Sequence, residues 1–175
     1  IKSQLGGDST LLNASKSTNF NFKIEGAQFS DEEINGINSL NPKRNKVIDR
    51  VNAIKAKGGK LVFDRVDNPT FYNNLIMLDG DLPSVIASLL LEQLNSGVSS
   101  LKELVNRITE INPLGYDTRQ PSPFYAYKVK HLLTSVALGM MPATAWDGRL
   151  DANGGYLVVK GDGDILCYQF YDRNR

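Results

Sequence analysis

The chain has 175 residues, of which 41% are hydrophobic and 22% charged, with a net charge of +1 at neutral pH. That length and apolar content fit one globular domain with its own core and exclude a disordered or low-complexity chain. A charge this near balance excludes nucleic-acid binding driven by bulk positive charge, so any contact with DNA has to be local.

The chain opens without a methionine on Ile1-Lys2-Ser3-Gln4-Leu5, which reads as the end of a strand and as the start of a fragment. Gly6-Gly7 is a turn. A polar run follows, with Ser9, Thr10, Asn13, Ser15, Ser17, Thr18, Asn19 and Asn21 interspersed with Lys16 and Lys23. These side chains hydrogen-bond phosphate oxygens and base edges, but they also dominate solvated loops, and composition leaves both readings open. Thr18 to Ile24 alternates with period two and predicts a half-buried strand, with Phe20, Phe22 and Ile24 on one face and Asn19, Asn21 and Lys23 on the other.

Ser30 and Glu33 form a capping box for a short helix with Ile34 and Ile37 inward, stopped at Asn41-Pro42. Lys43 to Lys57 predicts an amphipathic helix with Val47, Ile48, Val51 and Ile54 on one stripe, closed by Gly58-Gly59. Its basic residues, Lys43, Arg44, Lys46, Arg50, Lys55 and Lys57, form either a solvated face or one near phosphates. Lys60 to Val66 is a strand ended by Asp67-Asn68-Pro69. A helix from Asn68-Pro69 through Met77 is broken at Asp79-Gly80-Asp81. With Asp81 as N-cap and Pro83 in its first turn, Leu82 to Leu94 predicts an apolar helix central to the core. Its longest apolar run, Val85 to Leu91, falls far short of the roughly 20 residues that span a bilayer.

Gly97 ends that helix, and Ser100 with Glu103 caps Leu101 to Ile111, stopped at Asn112-Pro113. The loop from Gly115 to Pro121 carries Thr118, Arg119 and Gln120, and Arg or Gln in an exposed loop can read guanine or adenine edges in the major groove. Ser122-Pro123 opens a helix from Phe124 to Leu138, closed by Gly139. It carries the one histidine, His131, read as a structural partner. Trp146 either stacks on a base or anchors its loop. Tyr156 to Lys160 and Asp164 to Phe170, joined by Gly161-Asp162-Gly163, predict a β-hairpin. Asp151, Asn153, Asp162 and Asp164 do not match an EF-hand loop and read as turn chemistry. The single Cys167 sits in an alternating apolar run; it excludes a disulfide framework, reads as a buried core residue and fits a reducing compartment.

Two blocks carry a resemblance. IKSQLGGDSTLLNASKSTNF at 1–20 and GGYLVVKGDGDILCYQFYDRNR at 154–175 resemble segments of the HpaII-type restriction endonucleases, in the same order. The resemblance implies a sequence-specific type II nuclease that hydrolyses double-stranded DNA, with CCGG the family namesake's site and Mg²⁺ as cofactor. It implies a PD-(D/E)XK nuclease in which Lys2 is the signature lysine and the catalytic residue, its ammonium supporting attack on the scissile phosphate. The contacts to DNA are expected from Gln4, Ser9, Thr10, Asn13, Ser15, Lys16, Thr18 and Asn19, together with Arg119. The implied fold is α+β: a helical body, short strands near both ends of the chain and a C-terminal β-hairpin, forming part of a restriction-endonuclease-like fold. The chain is expected to be one domain, the C-terminal fragment of a longer bacterial cytoplasmic nuclease, inactive by itself and working as a homodimer. A non-catalytic DNA-binding module and a structural or interaction domain are the competing readings.

Overall fold

The computed structural model describes residues 16–39, 46–150, 154–159 and 165–170. A 3₁₀ turn at Lys16–Thr18 leads into β1 (Phe20–Glu25), followed by α1 (Asp31–Ser39), α2 (Lys46–Ala56), β2 (Lys60–Val66), α3 (Pro69–Leu78), α4 (Leu82–Ser96), α5 (Leu101–Ile111), α6 (Phe124–Ala137), β3 (Gly154–Val159) and β4 (Ile165–Phe170). The described residues are thus α+β, with six helices, and the helical middle and flanking strands lie where the pattern placed them. β1 pairs antiparallel with β2, and β3 with β4. Asp151, Asn153, Asp162 and Asp164, the turn 161–163 and the burial of Cys167 lie outside the described residues.

α4 is the shared wall of two apolar clusters. Its Leu82 and Ile86 pack with Val66, Phe71, Leu75, Leu132 and Met140. Val85 and Leu89, on its other side, pack with Leu104, Val105, Ile108, Tyr125 and Val129. A helix apolar nearly all round can serve two clusters at once, which is why this segment is central. No single helix among the described residues is long and apolar enough to cross a membrane; α3 and α4 would be so only together, and they meet at 107°.

The caps follow the sequence closely. Asn68 Oδ1 accepts the Thr70 and Phe71 N–H groups at the start of α3, and Ser100 Oγ accepts that of Glu103 at the start of α5. Ser30 and Glu33 form the reciprocal capping box of α1. The glycine pair after α2 makes a Schellman turn: Gly58 N–H donates to Lys55 O and Gly59 N–H to Ile54 O, both at 2.9 Å, with Gly58 at φ 74°.

Four expectations need correction. Asp81 caps α4 by position only, for its side chain makes no cap hydrogen bond and is engaged by Tyr116 and Lys128. Ile34 is exposed and α1 buries no residue; it meets α2 through the polar pair Asn38–Arg50. In α2 only Val51 and Ile54 are buried while Val47 and Ile48 are exposed, so the apolar stripe is half covered. β1 begins at Phe20, not Thr18, because Lys16–Thr18 closes into a 3₁₀ turn; at the far end of the strand Ile24 is exposed.

Candidate nucleic-acid interface

The polar run enters the described residues at Lys16, which is exposed, passes through Thr18, which is buried, and reaches Asn19, exposed. The Asn19 carbonyl accepts the Asp67 N–H at 2.9 Å, continuing the β1–β2 ladder by one rung. Within the ladder, Asn21 pairs with Arg65 and Phe22 with Phe63, so Asp64 is the extra residue of a β-bulge. Bulges re-aim side chains, and here the Asp64 carboxylate lies between two cations. Lys23 Nζ is 2.6 Å from Oδ1, and Arg65 Nη1 is 2.6 Å from Oδ2. The Lys23 hydrogen bond, helped by Arg65 and opposed by burial, holds this carboxyl below its ordinary range. Asn21 Nδ2 donates to Asp67 Oδ1 at 3.1 Å. The carboxylate is largely covered, whereas both cations are about two-thirds exposed. Both cations are therefore exposed positive groups able to meet phosphate oxygens on a chain of near-zero net charge, as is Lys16 at the entry to β1.

The second polar surface is the loop between α5 and α6. Its stem is built on Asn112, the left-handed C-cap of α5 at φ 50°. Asn112 Oδ1 accepts the Tyr116 N–H and the Tyr125 hydroxyl, each at 3.0 Å. Its Nδ2 donates to Tyr116 O at 2.9 Å, and the Leu114 N–H donates to the Tyr125 hydroxyl oxygen. The Tyr116 ring stacks on Phe124 with centroids 4.8 Å apart. Its hydroxyl donates to Asp81 Oδ2 at 2.9 Å, and burial, with this bond, pushes the phenol well above its ordinary value.

Lys128, largely buried, completes the stem. Its Nζ meets Asp79 Oδ1 and Oδ2 at 2.6 and 2.5 Å and Asp81 Oδ2 at 3.3 Å. Burial alone would lower its pKa, but the bonds to Asp79 and Asp81 outweigh that and raise it. The loop is therefore bolted to the α3–α4 turn, while residues 117–123 are all exposed. At the tip, Asp117 Oδ1 accepts the backbone N–H of Arg119 at 3.0 Å, and the carboxylate takes Nε at 2.9 and 3.0 Å and Nη2 at 2.6 Å.

The HpaII restriction endonuclease family matches residues 1–175, the whole chain. This protein belongs to that family. Over 174 residues it is 45% identical to the type II restriction enzyme HpaII of Haemophilus parainfluenzae, an alignment that takes in 99% of this chain and 47% of that enzyme. The chain thus spans about half the length of the curated relative it matches. No solved structure matches it. The resemblance carried by the two terminal blocks is borne out.

Of the residues expected to act in an HpaII-family enzyme, Lys2, Gln4, Ser9, Thr10, Asn13 and Ser15 lie outside the described residues. Lys16, Thr18 and Asn19 stand together at the entry to β1, and Arg119 stands on the separate α5–α6 loop. Of the basic residues read onto this helix, Arg50 on α2 is held by Asn38, and Lys57, just past its end, by Glu33 and the Gln28 carbonyl, so part of the basic face serves contacts within the chain. Trp146 is an anchor: its backbone N–H donates to Asn74 Oδ1 and its indole N–H to Arg149 O. His131 lies against the Tyr127 ring, with centroids 6.1 Å apart. Sequence reasoning missed Asp117, Asp64 and the Lys128 cluster. The Asp-x-Arg spacing was the visible signal for the first; a bulge and a contact 49 residues apart leave none.

Proposed function

We propose that this protein acts in sequence-specific hydrolysis of phosphodiester bonds in double-stranded DNA, as a type II restriction endonuclease. The 45% identity with a named restriction enzyme across 99% of the chain carries the reading. The exposed cations Lys23 and Arg65 on the β1–β2 pair and the exposed loop tip at Arg119 agree with it. Lys2 is the proposed catalytic residue: an ammonium beside the scissile phosphate stabilises negative charge as it develops in the transition state. Gln4, Ser9, Thr10, Asn13, Ser15, Lys16 and Asn19 are proposed to contact the duplex, phosphate contacts setting register and amide contacts reading base edges; Thr18, expected among them, is buried and is left out.

Recognition of CCGG, a homodimeric assembly on a palindromic site, a restriction-endonuclease-like core and a cytoplasmic location are proposed on the same family grounds. So is Mg²⁺. Among the described residues no group of three His, Cys, Asp or Glu side chains stands close enough to hold a metal ion, so none of them is assigned to the ion and no step is drawn through it.

The test is Lys2→Ala in the natural full-length protein, read by plasmid cleavage and by equilibrium DNA binding. The cleavage rate should fall by about 10²- to 10³-fold with specific affinity nearly intact, as for loss of one charge-stabilising group from a preorganised site. Equal losses in affinity and rate would make Lys2 a phosphate-binding residue. Wild-type protein that neither binds nor cuts DNA would refute the nuclease reading.

A further inference from the structure

The Asp117–Arg119 pair differs from an ordinary surface ion pair in three respects. Its carboxylate grips one edge of the guanidinium, through Nε and Nη2. The same carboxylate also accepts the Arg119 backbone N–H, so the chain and the side chain are clamped by one group. Finally, residues 117–123 are exposed while the residues beneath them are locked by Asn112, Tyr116 and Tyr125. A flexible arginine on a surface loop would ordinarily lose rotamer freedom on binding, whereas this one, though 88% exposed, is already biased towards one orientation.

We propose that Asp117 is a positioning residue that fixes the plane of Arg119 so that the end of its fork reads a guanine in the major groove. Guanine is read there by two parallel N–H donors to O6 and N7. A carboxylate on the Nε edge leaves the Nη1–Nη2 end to make that pair and sets the angle at which it arrives. Entry into the groove removes water from the ion pair and strengthens the clamp when it is needed. The rigid stem supplies the remaining requirement, since the reach of the loop is set by the Tyr116 and Lys128 bonds to the α3–α4 turn. This inference rests on the DNA-recognition reading above and adds the chemistry of one base contact.

The experiment is selection of bound duplexes from a random-sequence library by the natural full-length protein and by Asp117→Ala, Asp117→Asn and Arg119→Ala, without presupposing a site. In the wild-type profile at least one position requires guanine. Arg119→Ala and Asp117→Ala should relax the same guanine position by about 10-fold, within the range of one bidentate contact. Asp117→Asn keeps an acceptor for the backbone N–H and should relax it less. Removing the negative charge of Asp117 should tighten nonspecific binding slightly, an effect that mere loop damage would not produce. Undiminished guanine selection by Asp117→Ala overturns the proposal. So does an even loss of affinity across all sequences in Arg119→Ala, which marks a phosphate contact. A wild-type library with no enrichment removes the DNA-recognition reading itself, and the inference with it.

Discussion

Asn74 is an amide in the middle of apolar α3, almost wholly buried. Its Nδ2 donates to the Met141 and Thr144 carbonyls at 3.0 and 2.9 Å, and its Oδ1 accepts the Trp146 N–H at 3.0 Å. One side chain thereby satisfies three backbone groups of a segment with no regular structure and ties the Trp146 loop to the core. The sequence shows only one of two adjacent asparagines, with nothing to say which is buried. Asn74→Ala is expected to destabilise the protein by about 2–4 kcal/mol, because the three partners lose their hydrogen bonds together. Urea unfolding should show a lower midpoint with an unchanged slope; a slope that falls as well would mean the loop was already loose in the native state.

At the level of elements, the turn from α2 into β2 depends on the absence of one methyl group. A Cβ on Gly59 would stand 2.6 Å from Ala27 Cβ, 3.1 Å from Ile54 Cγ2 and 3.2 Å from Ile54 O. Ala27 Cβ has no rotamer by which to give way, so the backbone after β1 must move. Gly59→Ala should cost about 1–3 kcal/mol, the usual range for overpacking. Adding Ala27→Gly should recover part of that loss if the clash is the cause, and a double-mutant cycle in thermal unfolding measures the coupling. The glycine pair is readable as a helix stop; the second glycine's role in packing against the β1–α1 connection is not, since it depends on a neighbour 32 residues away.

Across the whole molecule, the Lys128 cluster joins the α3–α4 turn to α6 and, through Tyr116, to the α5–α6 loop. Its pH dependence follows from the directions of the shifts. The Asp81 carboxyl is held below its ordinary 3.8, first by the Tyr116 hydrogen bond and then by Lys128 against burial. It therefore contributes stability that is present above 3.8 and lost as pH falls through the folded value. Lys128 is raised above 10.5; its contribution is complete below 10.5 and lost as pH rises through the folded value. The cluster thus supports the fold across the neutral range and fails at both extremes. Lys128→Met should cost about 2–3 kcal/mol at pH 7, less than a fully buried pair because Asp81 is half exposed. The deficit should shrink by pH 3, where the Asp81 carboxylate takes up a proton. Denaturant titrations of both proteins at the two pH values check this, and an equal deficit at both would make the loss one of packing.

Local physics was legible in the sequence: helix stops at Gly58, Gly97 and Gly139, caps at Ser30, Asn68 and Ser100, the strand at Lys60 to Val66, and α4 as the apolar centre. Each follows from residues within a turn or two of one another, where propensity and period are decided. The same holds for the two blocks that placed the chain in its family, because they are contiguous strings. Which apolar positions are actually covered was decided only by the tertiary structure, as exposed Ile34, Val47 and Ile48 show. So were the bulge that sets Asp64 between Lys23 and Arg65, the diversion of Asp81 from capping to the Lys128 cluster, and the clamp that holds the base of the Arg119 loop. In each of these the competing partner is brought in by packing from a distant part of the chain, and the lower free energy of that contact overrides the local preference.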